Sequence, residues 1–381
     1  MKKGRISAAR KALAIAVAIG SALLCAWPMN SAASVSSSQD QRLGGRARPV
    51  ITLQWPQFFG AGNEKSRDSA PRVLIPGGQA IGVAIRTQGV LVVGAGDNGR
   101  DSLREGDMIL SVNGVPLLES AMLTEAVNAA QGQPLSLRIS RGGQENDLLL
   151  TPRYDESSRA WRLGVWVRDS TAGVGTLTYY DPATGAYGAL GHAIVDADTG
   201  KLLDAREGAI LRANIVGVAK GQSGRAGELK GNFLKEGRQI GSLLENCEYG
   251  IYGVMRDAPR SALYPEGLSV GSRSAVHTGA ASIIATVEGD EPQEYGVEIV
   301  RCFPQSEPSQ KGMVLRVTDE RLLHRTGGIV QGMSGSPILQ DGRIIGAVTH
   351  VYLSDATQGY GMYIEWMLEK SDALDAEAQA A

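Results

Sequence analysis

The stretch Thr326-Gly327-Gly328-Ile329-Val330-Gln331-Gly332-Met333-Ser334-Gly335-Ser336-Pro337-Ile338-Leu339 sets a serine in a glycine-rich turn between two apolar runs. A serine that attacks a carbonyl must stand clear of the backbone, with N–H groups aimed where the tetrahedral oxyanion forms, and flanking glycines permit so tight a bend. Ser334 therefore reads as a nucleophile. Behind it, Gly342-Arg343-Ile344-Ile345-Gly346-Ala347-Val348-Thr349-His350 gives a turn and then a strand that runs back past the loop. An ordinary hairpin of a glycine-rich β protein would use many of the same residues. Pro337, the flanking strands and the character of the upstream chain favour the nucleophile.

Gly-x-Ser-Gly-x-Pro resembles the nucleophile loop of chymotrypsin-like serine proteases. That resemblance implies an oxyanion hole made by the N–H groups of Gly332 and Ser334. From Trp161 onward the chain agrees, alternating short β-rich runs such as Gly173 to Tyr180 and Ala280 to Val287 with Gly, Asp and Asn turns. It lacks the strand and helix alternation that an α/β hydrolase needs, so Ser334 is not expected to be an elbow serine. The expected fold is mainly β, with a chymotrypsin-like barrel over residues 160–370 and an acidic, Ala-rich tail over 371–381.

Composition narrows the class. The chain has 381 residues, 49 of them Gly, with 43% hydrophobic and 5% aromatic residues, enough for two cores and rich in turns. A net charge of −2 with no basic cluster beyond the N-terminus argues against nucleic acid as a partner. The start reads as an export signal over residues 1–33. Lys2, Lys3, Arg5, Arg10 and Lys11 precede the apolar run Ala12 to Trp27, and Ser31-Ala32-Ala33 offers small residues for cleavage. The run is short for a bilayer crossing, which favours cleavage; retention would associate the protein with a membrane through its N-terminus. Residues 34–71 are expected to be a flexible linker. Four histidines and three cysteines show no zinc spacing, so neither a metal nor another cofactor is expected.

Between linker and barrel, residues 72–153 carry a second pattern. Ile75-Pro76-Gly77-Gly78-Gln79-Ala80-Ile81-Gly82-Val83 opens it, and Gly106-Asp107-Met108-Ile109-Leu110-Ser111-Val112-Asn113-Gly114 supplies a strand and an Asn-Gly turn. Ser120 to Gln131 reads as a helix with Met122, Leu123, Ala126, Val127 and Ala130 on one face, and Leu135 to Ile139 as a strand. These segments resemble a PDZ domain. The resemblance implies that Ala80, Ile81, Gly82 and Val83 present N–H groups to the C-terminal carboxylate of a bound peptide.

A serine hydroxyl is a poor nucleophile without a general base in reach, and histidine is the usual one. His277 follows Val276, His324 sits in a short helical pattern before the serine, and His350 ends the strand behind it. His192, in Gly188-Ala189-Leu190-Gly191-His192, lies far enough upstream to come from another part of a barrel. It is the favoured base, with His350 next.

Taken together, Asp169 to Thr178, Gly188 to His192, Thr326 to Pro337, Gly346 to Val351, and Gly359-Tyr360-Gly361 with Ile364 to Leu368 resemble the stage IV sporulation protein B peptidases of endospore-forming bacteria. The family implies a serine endopeptidase whose catalytic residues fall on Ser334, His192 and Asp319. Asp319 also reads as the N-cap of a helix through His324, and Asp196 and Asp198, close after His192, are competing acids. Such peptidases are exported from the forespore to the space between the two sporulation membranes. There they cut themselves and the extracytoplasmic part of a membrane-bound regulator, which releases an intramembrane metalloprotease and activates the mother-cell sigma factor. Two other readings are a non-catalytic secreted PDZ scaffold and a quality-control protease of the HtrA type. The latter carries protease before PDZ and usually Gly-Asn-Ser-Gly-Gly-Pro.

Overall fold

The computed structural model describes residues 72–95, 103–233, 239–257 and 263–380, all within the compact unit Pro71–Ala381. The expected signal (1–33) and nearly all of the linker (34–71) lie outside the described residues. Some strands bury every second side chain, as in Leu135–Arg141, where Leu135, Leu137 and Ile139 are buried and Ser136 and Arg138 exposed, and others, such as Pro337–Gln340, are buried throughout.

Two closed antiparallel barrels of six strands each result. In the first, Val165–Tyr180 pairs with Ala80–Ala95, then follow Ala205–Arg212, Gln239–Cys247, Gly250–Met255 and Ala186–Ala189, which returns to Val165–Tyr180. In the second, Gly279–Ala285 pairs with Gln293–Cys302, then Met313–Val317, Gln358–Tyr363, Arg343–Val351 and Pro337–Gln340, which returns to Gly279–Ala285. Val73–Pro76 and Leu268–Val270 bridge the barrels, the first pairing with Val165–Tyr180 and with Leu268–Val270, the second also lying parallel to Arg343–Val351. This is the chymotrypsin-like arrangement, and closure leaves neither sheet an open edge. Cys247 and Cys302 are free thiols on strands of different barrels.

The PDZ module is not a separate domain ahead of the barrel but an insertion into it. Ala80–Ala95 and Val165–Tyr180 are both long strands that pair with each other almost end to end, and the register shifts between Arg86 and Leu91. Up to that shift they belong to the first barrel. Beyond it they enter a separate apolar core that includes Val90, Val92, Leu103, Ile109, Leu137 and Leu163. The expected boundaries of 72–153 and 160–370 are corrected accordingly: residues 80–86 are strand of the first barrel, residues 73–76 bridge the two barrels, and the PDZ core takes in Leu163, Val165 and Val167.

This moves the peptide site. Ala80, Ile81, Gly82 and Val83 pair with Thr176, Gly175, Val174 and Gly173 on one side, and Ile81, Gly82 and Val83 pair with Arg212, Leu211 and Ile210 on the other. A strand paired on both edges has no N–H left for a carboxylate. The glycine here serves packing, since a Cβ on Gly82 would meet Cγ of Phe233 at 2.8 Å.

Helix Ser120–Ala129 forms as its pattern predicts, burying Leu123 and Val127. Its own N-cap, Glu119, makes no side-chain cap; instead the N–H of Ser120 donates to Asp169 Oδ2 at 2.6 Å, tying the helix to the strand Val165–Tyr180. The expected tail from 371 is also corrected. Helix Ile364–Ala380 runs through it, with Ser371 buried, Arg72 bonded to Asp372 at 2.7 Å and Lys370 to Glu245 at 2.6 Å.

Candidate active site

The nucleophile loop belongs to the second barrel, between helix Glu320–Thr326 and strand Pro337–Gln340. Gly335 has φ of 97°, and a Cβ there would meet Thr176 O at 2.1 Å and Leu190 N at 2.5 Å. Only glycine lets the bend press so closely against the first barrel. Ser334 itself is half-buried.

The backbone of the loop is held carbonyl by carbonyl. Gln331 C=O accepts from Leu229 N–H at 2.9 Å, and Met333 C=O accepts from Ser336 N–H at 3.0 Å. In a trans peptide the N–H points opposite to the C=O. The N–H groups of Gly332 and Ser334 are thereby turned away from Leu229 and Ser336, and neither donates to any group among the described residues. They are available as oxyanion donors.

His192 comes from the first barrel. Leu190 and Gly191 take left-handed conformations, with φ of 69° and 67°, which swings the ring out of the strand Ala186–Ala189. Position 191 packs on the second barrel, where a Cβ would meet Thr349 Cγ2 at 3.0 Å. The His192 ring lies 5.5 Å, centroid to centroid, from that of His350. The Ser334 hydroxyl donates to Thr349 C=O at 2.9 Å, one residue before His350. Ser334, His192 and His350 are thus gathered at the seam between the barrels. To pass its proton to His192, the hydroxyl must leave Thr349 and turn about χ1.

His192 Nδ1 lies 2.8 Å from the carbonyl of Ala193. A carbonyl can only accept, so Nδ1 carries the hydrogen and Nε2 keeps the lone pair of a general base. Burial lowers the His192 pKa from its ordinary value, partly offset by that hydrogen bond. His350, pushed down by burial, then by the facing His192 and by Lys311, falls to about 4 and stays neutral at working pH.

The other expected residues lie elsewhere. Asp319 caps helix Glu320–Thr326: Oδ1 accepts from Arg321 N–H at 2.9 Å, Oδ2 from Gly296 N–H at 3.3 Å, and Arg321 NH2 bonds to Oδ2 at 2.8 Å. The Arg321 guanidinium, then the N–H groups of Gly296 and Arg321, hold its pKa at about 2. No hydrogen bond joins Asp319 to His192. The expectation that it orients the imidazole is corrected to a helix cap, and Ala193 C=O takes the orienting place. The competing acids are occupied as well, with Asp196 and Asp198 bonded to Arg168. His277 is exposed and pairs with Asp341 at 3.1 Å, and His324 sits on helix Glu320–Thr326. What sequence reading missed is Thr176 and Leu229, whose bonds to the loop join residues far apart in the chain and leave no local signal.

The sequence profile of the SpoIVB peptidase S55 family matches residues 159–368, more than half of the 381-residue chain. The chain belongs to this family. Among solved structures, the Rv3671c protease from M. tuberculosis is similar in its active form, with a TM-score of 0.30, 13% identity, and coverage of 52% of this chain and 72% of that one. Its inactive form also gives 0.30 and 13%, covering 51% and 81%. The PDZ domain of the SdrC-like protein (Lmo2051) from Listeria monocytogenes gives 0.20 and 17%, covering 21% and 87%. A search among curated proteins returns no match. This S55 peptidase is a serine endopeptidase.

Two outcomes follow for the peptidase. The neutral imidazole is the active form, so a lowered His192 pKa places the acid limb of the kcat/KM profile below pH 6.5, checked with a small ester substrate. Asp319→Asn keeps a cap, since Asn caps a helix about as well as Asp, and turnover is expected to stay within a few-fold of wild type. Loss of an orienting carboxylate would instead cost about 10⁴-fold.

Proposed function

We propose that this S55 peptidase acts outside the cytoplasm during sporulation, cutting itself and then the extracytoplasmic part of a membrane-bound regulator, so that an intramembrane metalloprotease is released and the mother-cell sigma factor becomes active. The reading is supported by the family match over residues 159–368 and by the export-type pattern of residues 1–33. The observation that carries the chemistry is a half-buried serine whose own N–H, like that of Gly332, has no partner among the described residues, with a histidine from the facing barrel whose Nδ1 lies 2.8 Å from the Ala193 carbonyl. A non-catalytic scaffold would have no use for such an arrangement. The test is incubation of the chain lacking residues 1–33, wild type beside Ser334→Ala, with mass spectrometry of the fragments. Self-cleavage by wild type and its loss on substitution, a drop of about 10⁶-fold in turnover, is the expected result.

For the PDZ module we propose a groove between helix Ser120–Ala129 and the start of strand Val165–Tyr180. Residues 165–171 pair with Ala80–Ala95 on one edge and with no strand on the other among the described residues. Met122 and Ala126 of the helix and Val165 and Val167 of the strand are partly buried on the module's core, giving the groove an apolar floor. A peptide added antiparallel to this edge ends where the strand begins, at Leu163-Gly164, with Gly164 at φ 71° and Arg162 exposed beside it. Ala126→Glu sets a charge in that floor. It is expected to weaken binding of peptides with a free, apolar C-terminal residue at least about tenfold, measured by fluorescence anisotropy, with phosphonylation of Ser334 unchanged.

A further inference from the structure

The catalytic histidine and serine come from different barrels, so their relation depends on whatever joins the barrels at the seam. Thr176, in the first-barrel strand Val165–Tyr180, is 1% exposed and bonds to both catalytic loops. Its N–H donates to Ser334 C=O at 3.1 Å, and its Oγ1 donates to Gly332 C=O at 2.7 Å. Its own C=O accepts from Leu190 N–H at 3.3 Å, two residues before His192. The backbone bonds would survive any side-chain change. The hydroxyl bond would not.

The Gly332 carbonyl belongs to the peptide that separates the two oxyanion donors. Gly332, at φ 96°, has no side chain to resist rotation of that peptide. Leu229 fixes the peptide before it and Ser336 the one after it; the Gly332–Met333 unit itself is held at its N–H, which donates to Val330 C=O at 3.1 Å, and at its carbonyl by the Thr176 hydroxyl, the only one of these holds that a side-chain change removes.

We propose that Thr176 is a positioning residue of the peptidase: its hydroxyl locks the Gly332–Met333 peptide so that the N–H groups of Gly332 and Ser334 converge on the oxyanion. It touches no reacting atom and acts through the loop. The proposal rests on the serine-peptidase reading of Ser334, and its effect belongs to the transition state, since the oxyanion does not exist in the bound substrate.

The test compares Thr176→Val, which keeps the shape and removes the hydroxyl, with Thr176→Ser, which keeps the hydroxyl. Both are made in the full chain and assayed by hydrolysis of a p-nitrophenyl ester and by the rate of phosphonylation with a fluorophosphonate. Folded protein is counted from thermal melts, and Ser334→Ala serves as the blank. Thr176→Val is expected to lower kcat about 10- to 100-fold with KM little changed, the scale of a misplaced catalytic group. Thr176→Ser is expected to restore most of that loss. Wild-type kcat in Thr176→Val overturns the proposal. So does equal loss in Thr176→Ser, which would assign the effect to how the side chain fills its site and not to its hydroxyl, or a loss that merely tracks the folded fraction. A wild-type protein that takes no phosphonate would overturn the reading of Ser334 and this proposal with it.

Discussion

The antiparallel ribbon of Ala80–Ala95 and Val165–Tyr180 runs through both parts of the molecule, from Ala80 opposite Thr176 to Ala95 opposite Val165, and the placement of the active site depends on it. One end supplies two walls of the first barrel, the other supplies two strands of the PDZ module. Where the register breaks, backbone groups that lose ladder partners need others. Thr87, buried at the break, donates its hydroxyl to Gly89 C=O at 2.8 Å and to Asp169 C=O at 3.2 Å, stitching the two strands across it. Asp169 in turn holds the first N–H of helix Ser120–Ala129. The module is therefore anchored by continuous strands and cannot swing as a domain on a linker would without breaking the ladder.

That continuity also sets what lies next to what. The edge at 165–171, unpaired among the described residues, and Thr176 with its bonds to the nucleophile loop are parts of a single strand, and Arg168 on that edge bonds to Asp196 and Asp198 in the segment that follows His192. The histidine loop is thus tied to the strand at two points, through Arg168 and through the bond from Leu190 N–H to Thr176 C=O. The nucleophile loop is tied to the same strand through Gly332 and Ser334. A site divided between two barrels gains its precision from this shared element.

The sequence disclosed what is local and concealed what is not. The serine loop was legible because the glycines that permit its bend stand beside the serine, and Gly188 to His192 because the left-handed turn at 190 and 191 is written in the same few residues. The helix at 120–129 was legible from its apolar spacing. The PDZ boundary was not, because alternation shows that Ala80 to Val83 form a strand or its approach without showing which strands flank it, and Gly82 looks alike as a carboxylate loop or as a gap for Phe233. Asp319 failed for a related reason. Its contacts with Arg321 are local and were weighed as a cap, whereas its distance from His192 is a matter of how two barrels meet.

An orienting group in a serine peptidase does two separable things: it fixes the tautomer of the imidazole, and it stabilises the positive charge that appears when the serine proton arrives. Ala193 C=O does the first, since it accepts the Nδ1 hydrogen at 2.8 Å and leaves Nε2 as the base. It can do the second only as a dipole, which is weaker than a carboxylate. An uncharged neighbouring ring helps to offset the difference. The ring facing His192 belongs to His350, whose pKa is pushed down to about 4, chiefly by burial, which keeps it uncharged near neutral pH. The imidazolium therefore forms without a second positive ring against it, and the burial that lowers both histidines keeps the base unprotonated into mildly acid solution.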